Sequence, residues 1–551
     1  MKKICPEWLK SAVFYEIYPS SFFDSNGDGI GDLPGIIAKL DYLTDLGVNA
    51  LWLNPCFAST FADGGYDISD YRQVAPRYGS NDDLVRLFRE AEKRNIKICL
   101  DLVAGHTSTE HQWFKESAKA EKNAYSNYYI WNNSWLESTG GLSMVSGMAE
   151  RDGSFMNNYF TVQPALNYGF ANPDPAFSWQ LPVDHPDVLK VREEIKNIIR
   201  FYLDLGAAGF RCDLAPSLVK KDPGKIQTMA IWREFREMID AEYPEAVLIS
   251  EWAYAPQALK AGFHCDFLLH CGTPGYTTLF RNEPKRDLWR GIDKSAFYEK
   301  DGNDYTVKNT NSYFDAAGLG DAEFFFRTYL DHYERTKNDG FISIPTGDHD
   351  MTRISDFRDE RDLACIFAFI LTMPGVPFIY YGDEIGMRNI PGLVSKEGGY
   401  TRTQARTPMQ WDESRNAGFS TAAKEKLYLP VDSAPDAPNV AEQQKRPGSL
   451  WHKVKELLKL RSDHKALQAD GEFELLLADY PLIYIRSKGD ERILTVIQPA
   501  RRDWQCSIAL PQGMEKLSAL LETGIAAEIS DGKLTFSGNG GTHFGIWKIN
   551  G

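Results

Sequence analysis

The stretch Val247-Leu248-Ile249-Ser250-Glu251 is a short apolar run that ends on an acid, and Gly209-Phe210-Arg211-Cys212-Asp213 has the same form. Short apolar runs between polar residues are typical of buried parallel strands. Amphipathic helical patterns alternate with such runs along the chain, which predicts parallel strands joined by helices. Eight strands are predicted, the number that closes a (β/α)8 TIM barrel; they are Ala12–Pro19, Ala50–Pro55, Lys97–His106, Gly209–Leu214, Val247–Trp252, Cys265–His270, Phe341–Asp350 and Val376–Glu384.

Two segments depart from this repeating unit. Residues 107–182 separate the third and fourth strands and are rich in Trp, Tyr and Asn. This span is too long for a simple crossover, so it predicts an inserted subdomain beside the barrel mouth. Residues 469–551 contain short alternating runs between Gly, Asp and Pro, which predicts a C-terminal antiparallel β-sandwich domain. The barrel itself is then assigned to residues 1–106 and 183–468.

Composition narrows the class of function. The chain of 551 residues has 61 Lys+Arg against 76 Asp+Glu, a formal net charge of −15, which argues against a nucleic-acid partner. Charged residues interrupt the first apolar positions, so neither a signal peptide nor a membrane partner is expected. The eight cysteines are scattered without metal-type pairing, which predicts reduced thiols and a cytoplasmic location. Monomer and homodimer are equally compatible with the composition.

Three acids stand where predicted strands end: Asp213, Glu251 and Asp350. In a barrel the carboxyl ends of the strands share the face that carries chemistry, so the three should converge. A pair of acids across a glycosidic bond can work as nucleophile and general acid/base. Arg211, two residues before Asp213, should lie on the same side of its strand and keep that carboxyl ionised. A single strand-end acid is as often a helix cap or a surface charge, but three together favour catalysis.

These residues lie in short blocks that resemble the α-amylase superfamily of glycoside hydrolases (glycoside hydrolase family 13), and within it the branch of oligo-1,6-glucosidases, α-glucosidases and trehalose synthases. The resemblance extends over nearly the whole chain. The blocks that carry it are Asp101–His106, Gly209–Asp213, Ser250-Glu251 and His349-Asp350, supported by Tyr380–Glu384 and Arg406–Trp411.

The resemblance implies a role for each acid. Asp213 matches the nucleophile that forms a β-glycosyl enzyme, Glu251 the general acid/base, and Asp350 the acid that binds hydroxyls of the distorted sugar. Glu251 must exchange a proton, so its pKa should be raised by burial near Trp252. For Trp252 itself, core packing and stacking on a sugar are about equally expected.

Other positions match sugar-binding residues of the family. His106 and His349 match the pair that hydrogen-bonds the sugar at the reacting subsite, and Tyr66 matches its stacking platform. In exo-acting members an Asp, here Asp63, and an Arg clamp the 4-hydroxyl of the terminal sugar. Arg402 and Arg406 are both candidates for that Arg, and the sequence does not separate them.

The loop from Asp24 to Asp32 places oxygen ligands at every second residue, with glycines for a tight turn. Such spacing can wrap a hard divalent cation, Ca²⁺ or Mg²⁺, although an empty polar turn is the alternative. Relatives with this loop carry a structural Ca²⁺, and the resemblance implies one here. No organic cofactor is expected. The implied ligands are the side chains of Asp24, Asn26, Asp28 and Asp32 and the carbonyl of Ile30.

Four positions depart from the family pattern. Gly105 replaces the usual Asn before the first His, and Asp348 replaces the Asn or Ser that commonly precedes His-Asp. Ala165 stands in place of an acid in the block Gln163-Pro164-Ala165-Leu166-Asn167. Leu214 replaces the Val or Ala that tends to track α-1,6 against α-1,4 preference, so linkage is left open.

Three functions are compared. The favoured one is a retaining, exo-acting α-glucosidase that hydrolyses small α-glucosides or oligosaccharides from the non-reducing end. The alternative is a transglycosylase or isomerase of α-linked disaccharides, resembling trehalose synthase or sucrose isomerase, because the same acids serve both reactions. A non-catalytic relative, such as the transporter heavy chains that resemble this family, is disfavoured because all three acids are present.

Overall fold

The computed structural model describes residues 5–269, 275–282, 298–301, 304–307 and 311–550. The two strands Tyr298–Asp301 and Asp304–Val307 pair antiparallel. The end of the sixth predicted strand at His270, and Cys271, lie outside the described residues. Within the described part of the chain, no helix is long and apolar enough to cross a membrane.

Eight parallel strands form one sheet, and a parallel bridge from Pro345 to Phe378 joins its two edges. The predicted (β/α)8 barrel is therefore confirmed. The strands are shorter than predicted, and the polar residues beyond their carboxyl ends, including Asp213 and Glu251, lie outside the sheet. The strands are β1 (Phe14–Ile17), β2 (Ala50–Leu53), β3 (Lys97–Leu102), β4 (Gly209–Cys212), β5 (Val247–Ser250), β6 (Cys265–Phe267), β7 (Phe341–Ser343) and β8 (Phe378–Tyr380). Their order in the sheet is β7-β6-β5-β4-β3-β2-β1-β8.

Helices surround this sheet and bury an apolar face against it. Asn81–Glu92 shows the local logic: Ser80 and Asp83 form a reciprocal capping box, and Leu84, Leu87 and Ala91 are buried at helical spacing. The described α-helices are Glu7–Lys10, Pro19–Phe22, Leu33–Ala38, Leu40–Leu46, Asn81–Glu92, Gln112–Ser117, Pro186–Leu205, Ile226–Glu242, Ala255–Ala258, Tyr276–Phe280, Glu323–Thr336, Glu360–Thr372, Val440–Lys445 and Leu450–Asp463.

Two segments inserted after barrel strands lie beside the mouth of the barrel. After β2, the short strands Phe57–Ser59 and Ile68–Val74 pair and present a loop between them. After β3, the predicted insert contains the paired strands Met144–Ser146 and Ser154–Met156, and it has a small core of Ile130, Ala165, Phe170 and Trp179. A bridge between His106 and Ala165 attaches the insert to the end of β3. The residue boundaries assigned to the three units stay predictions.

The C-terminal region is an antiparallel sandwich, as predicted. Its strands are β9 (Glu472–Ala478), β10 (Leu482–Lys488), β11 (Glu491–Gln498), β12 (Trp504–Ala509), β13 (Lys516–Glu522), β14 (Ala526–Ser530), β15 (Lys533–Gly538) and β16 (His543–Asn550). One sheet has the order β9-β10-β11-β16-β13 and the other β12-β15-β14. Side chains from both sheets, including Ile483, Leu494, Phe536 and Trp547, share one apolar core.

The barrel and the sandwich meet at the helix Glu360–Thr372, which is buried from Asp362 to Thr372. Two buried arginines reinforce this junction by donating only to backbone carbonyls in the described contacts. Arg486 in β10 donates to the carbonyls of Thr372, Gln468 and Gly471. Arg461 donates to those of Leu371, Met373 and Gly375. Arg486 therefore joins the last residue of the helix to the segment just before β9, and Arg461 joins the last turn of the helix to the residues that follow it.

Candidate active site

The three acids lie at the carboxyl ends of barrel strands. Asp213 follows β4 directly and Glu251 follows β5, and backbone hydrogen bonds continue the ladder as each strand leaves the sheet. Asp213 N–H donates to the Leu102 carbonyl at 3.0 Å, and Glu251 N–H to the Cys212 carbonyl at 3.1 Å. These bonds set the height at which each carboxylate enters the mouth. Asp350 arrives on the loop after β7.

Arg211 stands at the centre of this arrangement. Its side chain is only 2% exposed, and Nη1 donates to Asp101 Oδ1 and to Asp213 Oδ1, each at 2.8 Å. Its Nη2 lies 3.0 Å from Glu251 Oε2. One buried guanidinium therefore joins three carboxylates, and it brings the predicted nucleophile and the predicted acid/base together. The position of Arg211 beside Asp213 is the one that strand alternation predicts.

Asp213 and Glu251 influence each other's protonation. Burial and the Glu251 carboxylate raise the pKa of Asp213 well above its usual value, while Arg211 opposes this. Burial also raises the pKa of Glu251, again against Arg211. Such a pair loses its protons in two separate steps, so between the two steps it holds one proton. Glu251 Oε2 accepts from Arg211 and from Leu214 N–H at 2.7 Å, so Oε1 is the Glu251 oxygen that these two donors do not occupy.

Trp252 packs in the core. Its ring meets Phe263 edge-on, with centroids 6.2 Å apart, and its indole N–H donates to Gln257 at 3.2 Å. Of the two roles expected for Trp252, these contacts are those of core packing.

Asp350 is held by both candidate arginines. Arg402 Nη1 donates to Asp350 Oδ1 at 2.8 Å, and Arg406 Nη2 donates to the same oxygen at 2.7 Å. Only Arg402 has a described contact with Asp63, where Nη2 donates to Oδ1 at 3.3 Å. Arg406 instead donates through Nε to the His349 carbonyl. Arg402 is therefore the partner of Asp63, and Arg406 supports the His349-Asp350 turn.

The loop that carries Asp63 is fixed from several sides. Gln163 of the insert donates to Asp63 Oδ2 at 2.9 Å, a contact that sequence reasoning missed although the Gln163–Asn167 block was noted. Asp67 Oδ1 accepts the Asp63 N–H at 3.0 Å. Gly64 has a positive φ of +57°, and a Cβ there would lie 2.9 Å from Arg406 Nη1. Glycine is thus needed for the loop to approach the guanidinium.

His349 contacts Tyr66 and two polar groups that the sequence did not single out. Its ring stacks on Tyr66 with centroids 5.2 Å apart and an interplanar angle of 13°. Its Nδ1 lies 2.8 Å from Glu16 Oε1 and 3.1 Å from Asn54 Nδ2. Its Nε2 lies 3.6 Å from Asp350 Oδ1. The second ring nitrogen of His349 therefore faces the site.

Both ring nitrogens of His106 have protein partners. Nε2 lies 3.1 Å from the Tyr66 carbonyl, and Nδ1 lies 3.2 Å from Asn158 Nδ2. Burial lowers the pKa of His106 to about 4, so the ring is neutral. In this arrangement His106 positions Tyr66. A Cβ at Gly105 would lie 2.8 Å from Asn158 Nδ2, so the unusual glycine leaves room for an amide from the insert.

The other departure, Asp348, is buried behind the site. Its Oδ1 accepts the Asp350 N–H at 2.7 Å, so it shapes the turn that presents Asp350. Burial and the Asp350 carboxylate raise the pKa of Asp348 to about 7.

The predicted cation loop is folded around its own oxygens. Asp24 accepts the N–H groups of Asn26, Gly27 and Gly29, and Asp32 accepts those of Ser25 and Gly35. Side chains of this kind fit a hard cation, because all predicted donors are oxygens. No group of three or more His, Cys, Asp or Glu in the described residues is gathered as a metal site. The metal site stays a prediction.

The barrel and its strand-end acids around one buried arginine define a glycoside hydrolase. The model of the α-amylase catalytic domain matches residues 16–264 and 304–470, more than half of the chain. The chain therefore belongs to the α-amylase family, and within it the chain is a glycosidase of the α-glucosidase type.

Named relatives agree with this placement. The chain is 31% identical to an oligo-1,6-glucosidase of Parageobacillus thermoglucosidasius, covering 89% of this chain and 90% of that protein. It is 32% identical to a glucan 1,6-alpha-glucosidase of Streptococcus pneumoniae, covering 95% and 96%. Among solved structures, the trehalulose synthase MutB of Pseudomonas mesoacidophila MX-45 superposes with a TM-score of 0.79 at 26% identity, over 99% of this chain and 100% of that one.

Proposed function

We propose that the protein is a retaining, exo-acting α-glucosidase that removes terminal α-glucosyl groups from the non-reducing end of small oligosaccharides or glucosides. The observation that carries the proposal is the Arg402 bridge between Asp63 and Asp350. This buried bridge forms a polar wall next to the catalytic acids. A wall at that place favours a pocket for one terminal sugar over a groove that a long chain could cross.

The chemistry follows from the protonation of the acid pair. Glu251 gives its proton to the leaving glycosidic oxygen, and Asp213 attacks the anomeric carbon to form a glycosyl ester. Glu251, now ionised, then takes a proton from water as that water cleaves the ester. Two inversions give net retention. The sharing of Arg211 by both carboxylates supports a closely spaced pair, as a retaining mechanism requires about 5–5.5 Å.

Proton NMR of the reaction tests this function directly. The enzyme is mixed with maltose, isomaltose, nigerose, kojibiose, trehalose and sucrose, with the Asp213→Asn variant as the control. Release of α-glucose before mutarotation supports a retaining hydrolase and names its linkage. Release of β-glucose first would refute retention, and silence on every sugar in the panel would refute a simple α-glucosidase.

A second candidate is a transglycosylase or isomerase of α-linked disaccharides. The relatives include the trehalose synthase/amylase TreS of Mycobacterium tuberculosis, 32% identical over 88% of this chain, and MutB has the same fold. A new disaccharide signal without free glucose in the same NMR series would favour this candidate. The relatives named for 1,6-linkages make isomaltose the first substrate to try.

We also propose that the Asp24–Asp32 loop binds Ca²⁺ through Asp24, Asn26, Asp28, Asp32 and the Ile30 carbonyl. The ion would stabilise the loop and take no part in the chemistry.

A cytoplasmic location is supported by the seven unpaired cysteines among the described residues. Size-exclusion chromatography with light scattering distinguishes monomer from homodimer.

A further inference from the structure

Among the described residues, the carboxyl groups at the barrel mouth outnumber the guanidinium groups. Seven carboxyl groups lie there, against the three guanidinium groups of Arg211, Arg402 and Arg406. Five of the acids contact one of these arginines; Glu16 and Asp348 have no such contact in the described part of the chain. Buried carboxylates without a cation are costly, so these two are the ones most readily protonated. The seven are Glu16, Asp63, Asp101, Asp213, Glu251, Asp348 and Asp350.

The hydrogen-bond partners of the Tyr66 hydroxyl determine how the side-chain amide of Asn54 is oriented. Tyr66 donates its single hydroxyl proton to Asp101 Oδ2 at 3.1 Å, because an ionised carboxylate only accepts. Arg211 and Trp52 also donate to Asp101, which favours its ionised form although burial raises its pKa. The Tyr66 oxygen must then accept from Asn54, so Nδ2 is the Asn54 atom 3.2 Å away.

The same amide nitrogen lies 3.1 Å from His349 Nδ1. Asn54 also donates a hydrogen bond to Glu16, and its N–H groups can only donate, so their position beside Nδ1 favours a His349 ring without a proton on that nitrogen. Glu16 Oε1 lies 2.8 Å from this bare nitrogen. A lone pair on nitrogen and a carboxylate oxygen would repel at that distance, so the proton between them belongs to Glu16.

We propose that Glu16 is a positioning residue that stays protonated and donates a hydrogen bond to His349 Nδ1, so that the single N–H proton of the neutral imidazole is on Nε2, which faces Asp350 and the bound sugar. The part concerning the sugar rests on the proposed function. Its consequence is that His349 is a neutral donor into the pocket. Asp350, ionised by its two arginines, and the sugar hydroxyls are the acceptors within its reach.

The surroundings of Glu16 agree with a neutral acid. The side chain is 1% exposed, and its Oε2 has no hydrogen-bond partner in the described residues. The titratable and charged groups that face it are Asp348, His349, Asp101, Arg211 and Tyr380. Burial, and then Asp348, raise the pKa of Glu16 well above its usual value, while a hydrogen bond from Asn54 and the charge of Arg211 oppose them. Burial lowers the pKa of His349.

The direct test is the tautomer of His349, read from long-range ¹H–¹⁵N correlation spectra of the uniformly labelled, deuterated protein. The signal is assigned by its loss in His349→Gln. We expect the pattern of a neutral ring protonated at Nε2 across pH 5.5–8. A ring protonated at Nδ1, or an imidazolium, would overturn the proposal. This measurement needs no substrate, so it stands or falls independently of the α-glucosidase assignment.

The Glu16→Gln variant tests the same point through kinetics on whichever substrate the enzyme turns over. Gln has the same shape, carries no charge and can donate through Nε2. If Glu16 is neutral, kcat/KM stays within about threefold and both limbs of the pH profile stay in place. If Glu16 is ionised, losing its charge should move the limbs by on the order of one pH unit, and that shift would refute the proposal.

Glu16→Met removes the donor, and we expect kcat/KM to fall about ten- to hundredfold together with loss of the single His349 tautomer. Unchanged kcat/KM in Glu16→Met would refute the positioning role.

Glu384→Gln is the matched control: Glu384 is also fully buried, its pKa is raised by burial to about 7, and its described partners are Tyr15 and Tyr42. It should leave the His349 spectrum unchanged, and a change there would assign the effect to general loss of a buried acid.

Discussion

Replacing Asp63 by Ala tests whether the polar wall recognises the end of the substrate. Asp63 is 5% exposed and is reached by Arg402 and Gln163. If it also accepts the 4-hydroxyl of a terminal glucose, the variant loses one charge-assisted hydrogen bond. Such a bond contributes about 1.5–3 kcal/mol. At about 1.4 kcal/mol per tenfold, kcat/KM should fall about tenfold to 150-fold.

The contacts of Arg402 argue for the lower part of that range. In Asp63→Ala, Arg402 keeps Asp350 Oδ1 at 2.8 Å and the carbonyls of Gly398 and Gly399, so its charge is not left buried and unpaired. Gln163→Ala gives a graded comparison, because it removes only a neutral donor from Asp63. A loss of about two- to tenfold is expected there, from roughly 0.5–1.5 kcal/mol.

The assay compares 4-nitrophenyl α-glucoside with its 4-deoxy analogue in the parent enzyme and in Asp63→Ala. Because both changes remove the same hydrogen bond, their effects should not add: the variant should discriminate little between the two substrates. Thermal melting checks that the variant is folded. Equal losses on both substrates, or an unchanged kcat/KM on the parent glucoside, would refute the assignment of Asp63 to the 4-hydroxyl.

Three further outcomes are expected. Asp213→Asn should lower kcat by several orders of magnitude while substrate still binds, and near-normal turnover would remove it as nucleophile. Because burial raises the pKa of Glu251 and the singly protonated pair is the active form, kcat/KM should fall as pH rises through the upper pKa of the pair and as pH falls through the lower one; a flat profile from pH 4 to 10 would contradict this. Chelation should lower the melting temperature, by roughly 2 °C for a site saturated about a hundredfold above Kd, without changing turnover of the folded enzyme; an unmoved melting curve would contradict a bound Ca²⁺.

The barrel and its acids were predictable because both follow from local pattern. A buried strand ends where its apolar run ends, so the residues just beyond it, Asp213 and Glu251, are placed by counting along the chain. The alternation of side chains along β4 likewise placed Arg211 beside Asp213. The C-terminal sandwich was predictable from alternating runs for the same reason.

The remaining parts of the site depend on long-range contacts that no local pattern encodes. Arg402 and Arg406 lie in one irregular segment, and only the approach of Asp63, 339 positions away, distinguishes them. Glu16 meets His349 across 333 positions. Asn158 reaches His106 from the insert, and the one available signal was the missing side chain at Gly105. Such contacts follow from closure of the barrel and docking of the insert.

The junction at Glu360–Thr372 has a consequence for how the chain can be divided. This helix is buried from Asp362 onward, and Arg486 donates from β10 to its last carbonyl, that of Thr372. A protein truncated before β9 would expose apolar helix surface to water and lose this guanidinium. The sandwich is thus part of the folding unit of the barrel, and the two should melt in one cooperative transition. An isolated barrel is expected to aggregate, so engineering by domain exchange must keep the two regions as a matched pair.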